Sequence, residues 1–236
     1  MLSLNEILSC HLDSWAGPAD GWESRDSIIM EQLRPVTWAM VGLLEIAMDQ
    51  RHLDVASGTG EPGLTIAQQA PDGRVVLTDP VGEMLDVALD RAEAIGVPNV
   101  GSRICSAELL PFQDAGFDSV SVRFGYPCFP DPVRATAEFA RVLKPGGRLV
   151  ILEFERPRFP LMRWFYDFYC GWVMPRTATL ISGDKSGAYR YLPRSVGTFM
   201  TREELSDLLA RSGFAPVTSR GLSLGICVCY RGVRGG

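Results

Sequence analysis

The chain is poor in the groups that bind metals. Its 236 residues include two histidines, His11 and His52, and six cysteines, at positions 10, 105, 128, 170, 227 and 229, with no C-x-x-C pair. That set offers no zinc-ligand spacing, so no metal site is expected. Cys105, Cys227 and Cys229 fall in apolar runs, which suit small buried hydrophobes better than reactive thiols. Cys128 lies in a candidate site loop. Nowhere do roughly eighteen apolar residues run together, as a membrane-spanning helix needs. Met1-Leu2-Ser3-Leu4-Asn5-Glu6 also lacks the basic start and long apolar stretch of a secretory signal, and a cytoplasmic protein is the expectation. Charge of either sign is never massed: the net charge of −5 is spread without acidic or basic blocks, which argues against nucleic acid as a partner. No low-complexity linker divides the chain, and a composition 46% hydrophobic and 22% charged is that of one ordinary globular domain.

A local scarcity says more. Between Arg51 and Arg74 there is no Lys or Arg, yet this stretch contains Leu53-Asp54-Val55-Ala56-Ser57-Gly58-Thr59-Gly60-Glu61-Pro62-Gly63. Gly58, Gly60 and Gly63 fit G-x-G-x-x-G, whose glycines let backbone approach a ligand at a helix N-terminus. Asp79 ends the next apolar run, Val75-Val76-Leu77-Thr78, where an acid accepts hydrogen bonds from both ribose hydroxyls of a nucleotide. Dinucleotide enzymes and S-adenosylmethionine enzymes share this logic. A pyrophosphate beside Asp54 and Glu61 would be repelled by roughly a few kcal/mol per close pair, whereas the ammonium and sulfonium of S-adenosylmethionine would be attracted.

Strand and helix patterns then alternate: strand 52–56, helix 61–70, strand 74–78, helix 83–95, strands 100–105 and 117–122, helix 132–143, strand 147–155. Asp131-Pro132 places an N-cap before a proline at N1, and Leu143-Lys144-Pro145-Gly146-Gly147 ends that helix. Thr201-Arg202-Glu203-Glu204 is a capping box opening a helix that closes at Gly213. Pro216–Arg220 and Leu224–Tyr230 then pair as a hairpin. The predicted fold is α/β: a doubly wound, mostly parallel seven-stranded sheet with a C-terminal antiparallel hairpin. Its parts are an N-terminal helical cap (1–50), a cofactor-binding core (51–155), an insertion (156–200) and the last helix with its hairpin (201–232).

This layout resembles the class I S-adenosylmethionine-dependent methyltransferase fold over roughly residues 50 to 232. Leu53–Gly60 looks like its first motif, Leu77-Thr78-Asp79-Pro80 with Met84-Leu85 its second, Ala107–Phe112 its third, and Arg141–Leu149 the approach to its fifth strand. Four matches in order are far more specific than any one of them. The resemblance implies S-adenosyl-L-methionine as cofactor. Asp54 would lie near its ammonium, and Ala56, Ser57, Gly58, Thr59 and Gly60 would supply close-approach backbone. Asp79 would sit at the ribose, Pro80 and Met84 along the adenine, Ser106 and Ala107 at its edge, and Arg123 at the acceptor or the cofactor carboxylate.

The insertion is rich in aromatics, namely Phe159, Trp164, Phe165, Tyr166, Phe168, Tyr169 and Trp172. It reads as a substrate lid over the ligand-binding edge of the sheet, with a homodimer face and a peripheral membrane-surface helix as open alternatives. Leu152-Glu153-Phe154, Gly183–Val196 and Leu222–Gly232 resemble the ubiquinone/menaquinone biosynthesis C-methyltransferase family. That resemblance implies a small hydrophobic aromatic substrate, quinol-like or phenol-like, methylated at carbon. The chain departs from the family at Phe124-Gly125-Tyr126-Pro127-Cys128: Pro127 and Cys128 occupy the positions of an Arg-Asn pair facing the acceptor. Ser106 replaces an Asp at the adenine amino group, and the segment with Trp15 and Trp22 lacks the family's Tyr-Asp and His-Arg signature. An O- or N-methyltransferase of specialised metabolism is therefore a second reading. A dinucleotide-dependent reductase and a non-catalytic S-adenosylmethionine-binding protein are further ones.

Methyl transfer from a sulfonium is an in-line displacement that needs alignment in a dry pocket, and for a phenol a base that takes the hydroxyl proton. His11, Tyr189 and Tyr191 are the candidates for that catalytic role. His52 opens the first strand and reads as structural.

Overall fold

The computed structural model describes residues 23–157, 159 and 200–236, with side chains described from residue 33 onward. Seven strands form one sheet: β1 (Arg51–Val55), β2 (Arg74–Asp79), β3 (Val100–Ile104), β4 (Phe117–Arg123), β5 (Leu143–Phe154), β6 (Phe214–Leu222) and β7 (Cys227–Arg234). Their order is β3-β2-β1-β4-β5-β7-β6. The first five strands are parallel; β7 runs antiparallel to β5 and to β6. The expected doubly wound sheet with a terminal hairpin is therefore what forms. The order reverses between β1 and β4, and the carboxyl ends of those two strands frame the crevice where ligands bind in open α/β sheets.

The helices are α1 (Glu23–Leu44), α2 (Gly63–Gln69), α3 (Gly82–Ala94), α4 (Pro132–Val142) and α5 (Arg202–Arg211). Two local signals act as expected. The Asp131 side chain accepts the Arg134 N–H at 3.0 Å with Pro132 at N1. In the capping box before α5, Thr201 accepts the Glu204 N–H at 3.2 Å and Glu204 accepts the Thr201 N–H at 2.7 Å. On α4, Ala135, Phe139 and Val142 recur on one face and are fully buried, so the helix lies on the sheet by its apolar stripe.

Burial splits the sheet into two faces. Leu53 and Val55, Val120 and Val122, and Leu149 and Ile151 pack toward α4 and α5 with Phe139, Leu205 and Leu209. Val75, Leu77, Val150 and Leu152 pack with α1 and α3, through Met40, Leu44, Leu85 and Ala88. Period-two alternation along β5 thus puts apolar side chains on both faces, the pattern of a covered sheet.

Boundaries moved where glycine and proline sit. β5 starts at Leu143 because Leu143 pairs with Phe117 across an irregularity before the ladder resumes at Ser119 and Arg148. β7 starts at Cys227 rather than 224, since Ser223–Gly225 turns as a short 3-10 helix with Leu224 at φ 59°. Among the described residues, no helix is long and apolar enough to cross a membrane.

Candidate active site at the β1–β4 crevice

The turn after β1 is pinned on both sides. Ser57 N–H donates to the Thr78 carbonyl at 3.0 Å, and Thr78 Oγ1 donates back to the Asp54 carbonyl at 3.1 Å. Asp79 closes the turn from β2: Oδ2 accepts Gly58 N–H at 3.0 Å and Oδ1 accepts Val81 N–H at 2.9 Å. Gly58 has φ 50°, and a Cβ built on it meets nothing within 4 Å, so the backbone here faces open space. Gly63 does a different job. A Cβ there would stand 2.2 Å from Leu77 Cδ2, so its lack of a side chain lets α2 press against the sheet.

Beneath this turn runs a chain of buried polar groups. Gly63 N–H donates to Asp54 Oδ2 at 3.1 Å, and Ser121 Oγ donates to Asp54 Oδ1 at 2.5 Å. His52 Nε2 lies 2.8 Å from Ser121 Oγ, and His52 Nδ1 lies 2.7 Å from Ser119 Oγ. Ser121 has one hydroxyl hydrogen and gives it to Asp54, so His52 must donate through Nε2 and accept from Ser119 at Nδ1. Every donor in the chain then points toward Asp54. Burial pushes Asp54 up to about 7, opposed first by the Ser121 and Gly63 hydrogen bonds, and burial pushes His52 down to about 3, keeping it neutral.

Folding sets the charges around the turn. Asp54 was expected near the cofactor ammonium. It is fully buried, and both its oxygens serve the turn and β4. The turn's own sequence holds no Lys or Arg. Arg91 of α3 donates to the Thr59 carbonyl at 3.0 Å, and Arg123 at the end of β4 acts on Asp54, lowering its pKa. Arg123 is itself buried, its guanidinium carbon 5.1 Å from the centre of the Phe124 ring. Tertiary folding brings in cations that local sequence omits.

Other expected cofactor residues follow the ends of β1, β2 and β3 in sequence. Cys105 N–H donates to the Asp79 carbonyl at 3.3 Å, which sets the end of β3 beside the end of β2. Pro80 and Ser106 are exposed there, Met84 and Thr59 are half-buried, and Ala107 is buried. Asp79 is nearly buried and its pKa is raised, mainly by desolvation.

On the other side of the crevice, β4 ends in a strained bend. Ala56 and Phe124 have φ of 53° and 57°, values that non-glycine residues adopt at a cost of order 1–3 kcal/mol and that cluster at functional sites. A Cβ on Gly125 would lie 2.6 Å from Ala56 Cβ, so the bends after β1 and β4 touch. Phe124 stacks on Phe154 with centroids 4.2 Å apart. Tyr126–Cys128 then forms one 3-10 turn. Tyr126 anchors it: the buried hydroxyl meets Thr136 Oγ1 at 2.5 Å, and Tyr126 N–H donates to Glu153 Oε1 at 2.9 Å.

Glu153, near the end of β5, was not singled out as a site residue from sequence. It is 3% exposed, and burial pushes its carboxyl up to about 8. The signal was available: one acid in the otherwise apolar run Leu149-Val150-Ile151-Leu152-Glu153-Phe154. Cys128 has its thiol raised to about 11 by desolvation, with the Glu153 and Asp79 carboxyls adding to the shift, and it stays protonated at neutral pH. The three expected catalytic residues, His11, Tyr189 and Tyr191, lie outside the described residues, as does nearly all of the 156–200 insertion.

Comparison with known proteins sharpens this geometry. Residues 34–234 match the ubiE/COQ5 methyltransferase family. The chain is 42% identical over 188 residues to the ubiquinone/menaquinone biosynthesis C-methyltransferase UbiE of Geobacter sulfurreducens, covering 78% of this chain and 72% of that protein. It is 41% identical over 185 residues to the demethylmenaquinone methyltransferase of Thermus thermophilus, covering 78% of this chain and 83% of the relative. Among solved structures, a SAM dependent methyltransferase from Aquifex aeolicus superposes with a TM-score of 0.58 at 19% identity, covering 81% of this chain and 87% of that one. The [4+2]-cyclase SpnF superposes with a TM-score of 0.66, also at 19% identity, covering 85% and 81%. A fold shared with a cyclase carries no activity by itself.

Proposed function

The chain belongs to the ubiE/COQ5 methyltransferase family, and from that premise we propose that it methylates a ring carbon of a small hydrophobic aromatic acceptor, quinol-like or phenol-like, using S-adenosylmethionine. The observation that carries this reading is the length of the match, from residue 34 to 234. It runs through the glycine turn and on past β5, so it takes in the 156–200 insertion as well as the nucleotide half. Relatives named as C-methyltransferases of quinone biosynthesis support a carbon acceptor.

The residues present suit the cofactor. Gly58 leaves its ligand side open. Asp79 uses one lone pair on each oxygen for Gly58 and Val81, and a carboxylate with about four acceptor positions retains capacity for ribose hydroxyls. Pro80, Met84, Ser106 and Ala107 form the rim for the adenine, and Ala56 to Gly60 the backbone for the methionine end. Asp54 acts from below as a buried negative charge rather than as a direct ligand, and Arg123 is placed to meet a carboxylate. S-adenosylmethionine would supply a methyl group on a sulfonium, a leaving group that needs no acid. What the protein must add is a dry, aligned acceptor. The stacked Phe124 and Phe154 offer an apolar wall for an aromatic ring.

Incubation with methyl-labelled S-adenosylmethionine and a panel of quinols and phenols tests the proposal, with label expected on a ring carbon. Label only on oxygen would favour the second reading, which rests on Pro127 and Cys128 standing where the family has Arg-Asn. Binding of the cofactor without transfer to any acceptor would overturn the enzymatic reading.

A further inference from the structure

Glu153 is a buried carboxyl that takes no part in the hydrogen bonds of the glycine turn. One of its oxygens accepts the Tyr126 N–H at 2.9 Å, and the backbone N–H of Phe154 also supports the carboxylate. A neutral glutamine would satisfy the same N–H without the heavy desolvation cost of a carboxylate, so the acid itself calls for a function. Its position suggests which. Leu152 pairs with Arg123, so Glu153 stands just beyond the last paired residue of β4, at the same sheet edge as the glycine turn. The Cys128 thiol has both Asp79 and Glu153 as electrostatic neighbours. The Tyr126 N–H bond to Glu153 Oε1 at 2.9 Å sets the turn 126–128 directly against Glu153.

The ionisable groups facing Glu153 do not compete with it. Tyr126 and Cys128 come from the turn after β4, and Cys227 and Tyr230 from β7. All four have raised pKa values, chiefly from desolvation, and the Glu153 charge adds to each shift. They remain neutral where Glu153, pushed up to about 8, titrates. Pro127 brings no ionisable group, and Arg123 is a cation.

We propose that Glu153 is the catalytic base of the acceptor site, taking the hydroxyl hydrogen of a phenolic or quinolic acceptor. This rests on the reading above and adds the residue that activates the acceptor. Glu153 receives the hydroxyl proton as the neighbouring ring carbon forms its bond to the methyl group. The methyl's bond to sulfur breaks with both electrons remaining on sulfur. The ring carbon then loses its own hydrogen to water, and Glu153 returns its proton to the oxygen as aromaticity is restored. The net release is one proton per methyl transferred.

The test compares Glu153→Gln and Glu153→Asp with the unmodified chain. Glu153→Gln keeps an acceptor for Tyr126 N–H, so its melting temperature and its affinity for S-adenosylhomocysteine should change little. Its kcat should fall by about 10²–10⁴-fold. The loss should shrink as the acceptor phenol is made more acidic, and the rise of kcat/KM with pH through about 8 should vanish. A second readout needs no turnover: at pH 9, where Glu153 is ionised, a nitrophenolate binding the S-adenosylhomocysteine complex should draw one proton onto Glu153, read as proton uptake in weakly buffered solution, and Glu153→Gln should take up none. Should that variant fail to fold, Glu153→Asp is read by the same uptake and should reduce it. An active unmodified chain with an unchanged pH profile and proton uptake in the variants overturns the proposal alone. An unmodified chain inert on every acceptor overturns the methyltransferase reading beneath it.

Discussion

Asp54→Asn separates the charge of this residue from its hydrogen bonds. In the native chain Ser119, His52 and Ser121 donate in sequence toward Asp54, and Gly63 N–H donates from the other side. An asparagine carbonyl can keep the Gly63 bond while its amide donates to Ser121. Ser121 then donates to His52 Nε2, and His52 Nδ1–H to Ser119, so the chain runs backwards with its members still bonded. One amide hydrogen is left over, a fixed cost of roughly 1–2 kcal/mol. What changes with pH is the charge. The native Asp54 carboxyl is raised from 3.8 to about 7. Between those values the folded chain holds a proton that the unfolded chain has lost, so stability falls as pH rises through this window. From pH 5 to pH 8 the loss due to Asp54 amounts to about 2–3 kcal/mol. His52, lowered to about 3, contributes the opposite slope below its unfolded value of 6.5, and Glu153 adds a further loss toward 8. Both contributions are common to the two proteins and cancel in the difference. Urea unfolding followed by tryptophan fluorescence at pH 5 and pH 8 should therefore show the variant gaining about 2–3 kcal/mol relative to the native chain across that range. A difference that stays flat would refute the buried, high-pKa carboxyl. The variant should also lose preference for the cationic S-adenosylmethionine over neutral-sulfur S-adenosylhomocysteine.

Two other substitutions probe the crevice. Asp79→Ala should weaken S-adenosylhomocysteine binding by roughly tenfold to a hundredfold, through lost ribose hydrogen bonds and two released turn donors; unchanged affinity by calorimetry would remove Asp79 from the site. Gly125→Ala sets a methyl 2.6 Å from Ala56 Cβ and should cost about 1–3 kcal/mol, with weaker cofactor binding; an unshifted melting temperature would contradict the close approach of the two bends.

The fold was legible because its signals are local and periodic. Asp131-Pro132 and the Thr201 capping box name helix starts without tertiary help, and the alternating strand and helix periods imply a parallel sheet. The boundaries that slipped are those where a glycine or proline admits two local solutions and the neighbouring strand chooses. Leu143 joins β5 because Phe117 is there to pair with it. The last strand shifts by a few residues because its ladder with β6 runs from Leu222–Cys227 outward to Phe214–Arg234.

Charge was less legible, for a geometric reason. Along a strand, successive side chains face opposite sides of the sheet, and sequence alone does not tell which side of a turn an acid faces. Asp54 looked like part of the pocket edge, but it shares a face with His52, Ser119 and Ser121, and its carboxylate serves them and Gly63. The absence of basic residues between Arg51 and Arg74 described the turn's own sequence, while Arg91 reaches its carbonyl from a helix more than thirty residues on. The charge at the β1–β4 crevice thus depends on buried Asp54, Asp79 and Glu153 together with the two arginines, and no single bend sets it. Glu153 follows the opposite logic. An acid in the centre of an apolar run has few places to go except a buried position, and a buried acid at the ligand edge of a doubly wound sheet is where chemistry is expected. A lone acid in a hydrophobic strand thus marks a buried charge in the fold, which a run of residues without charge does not.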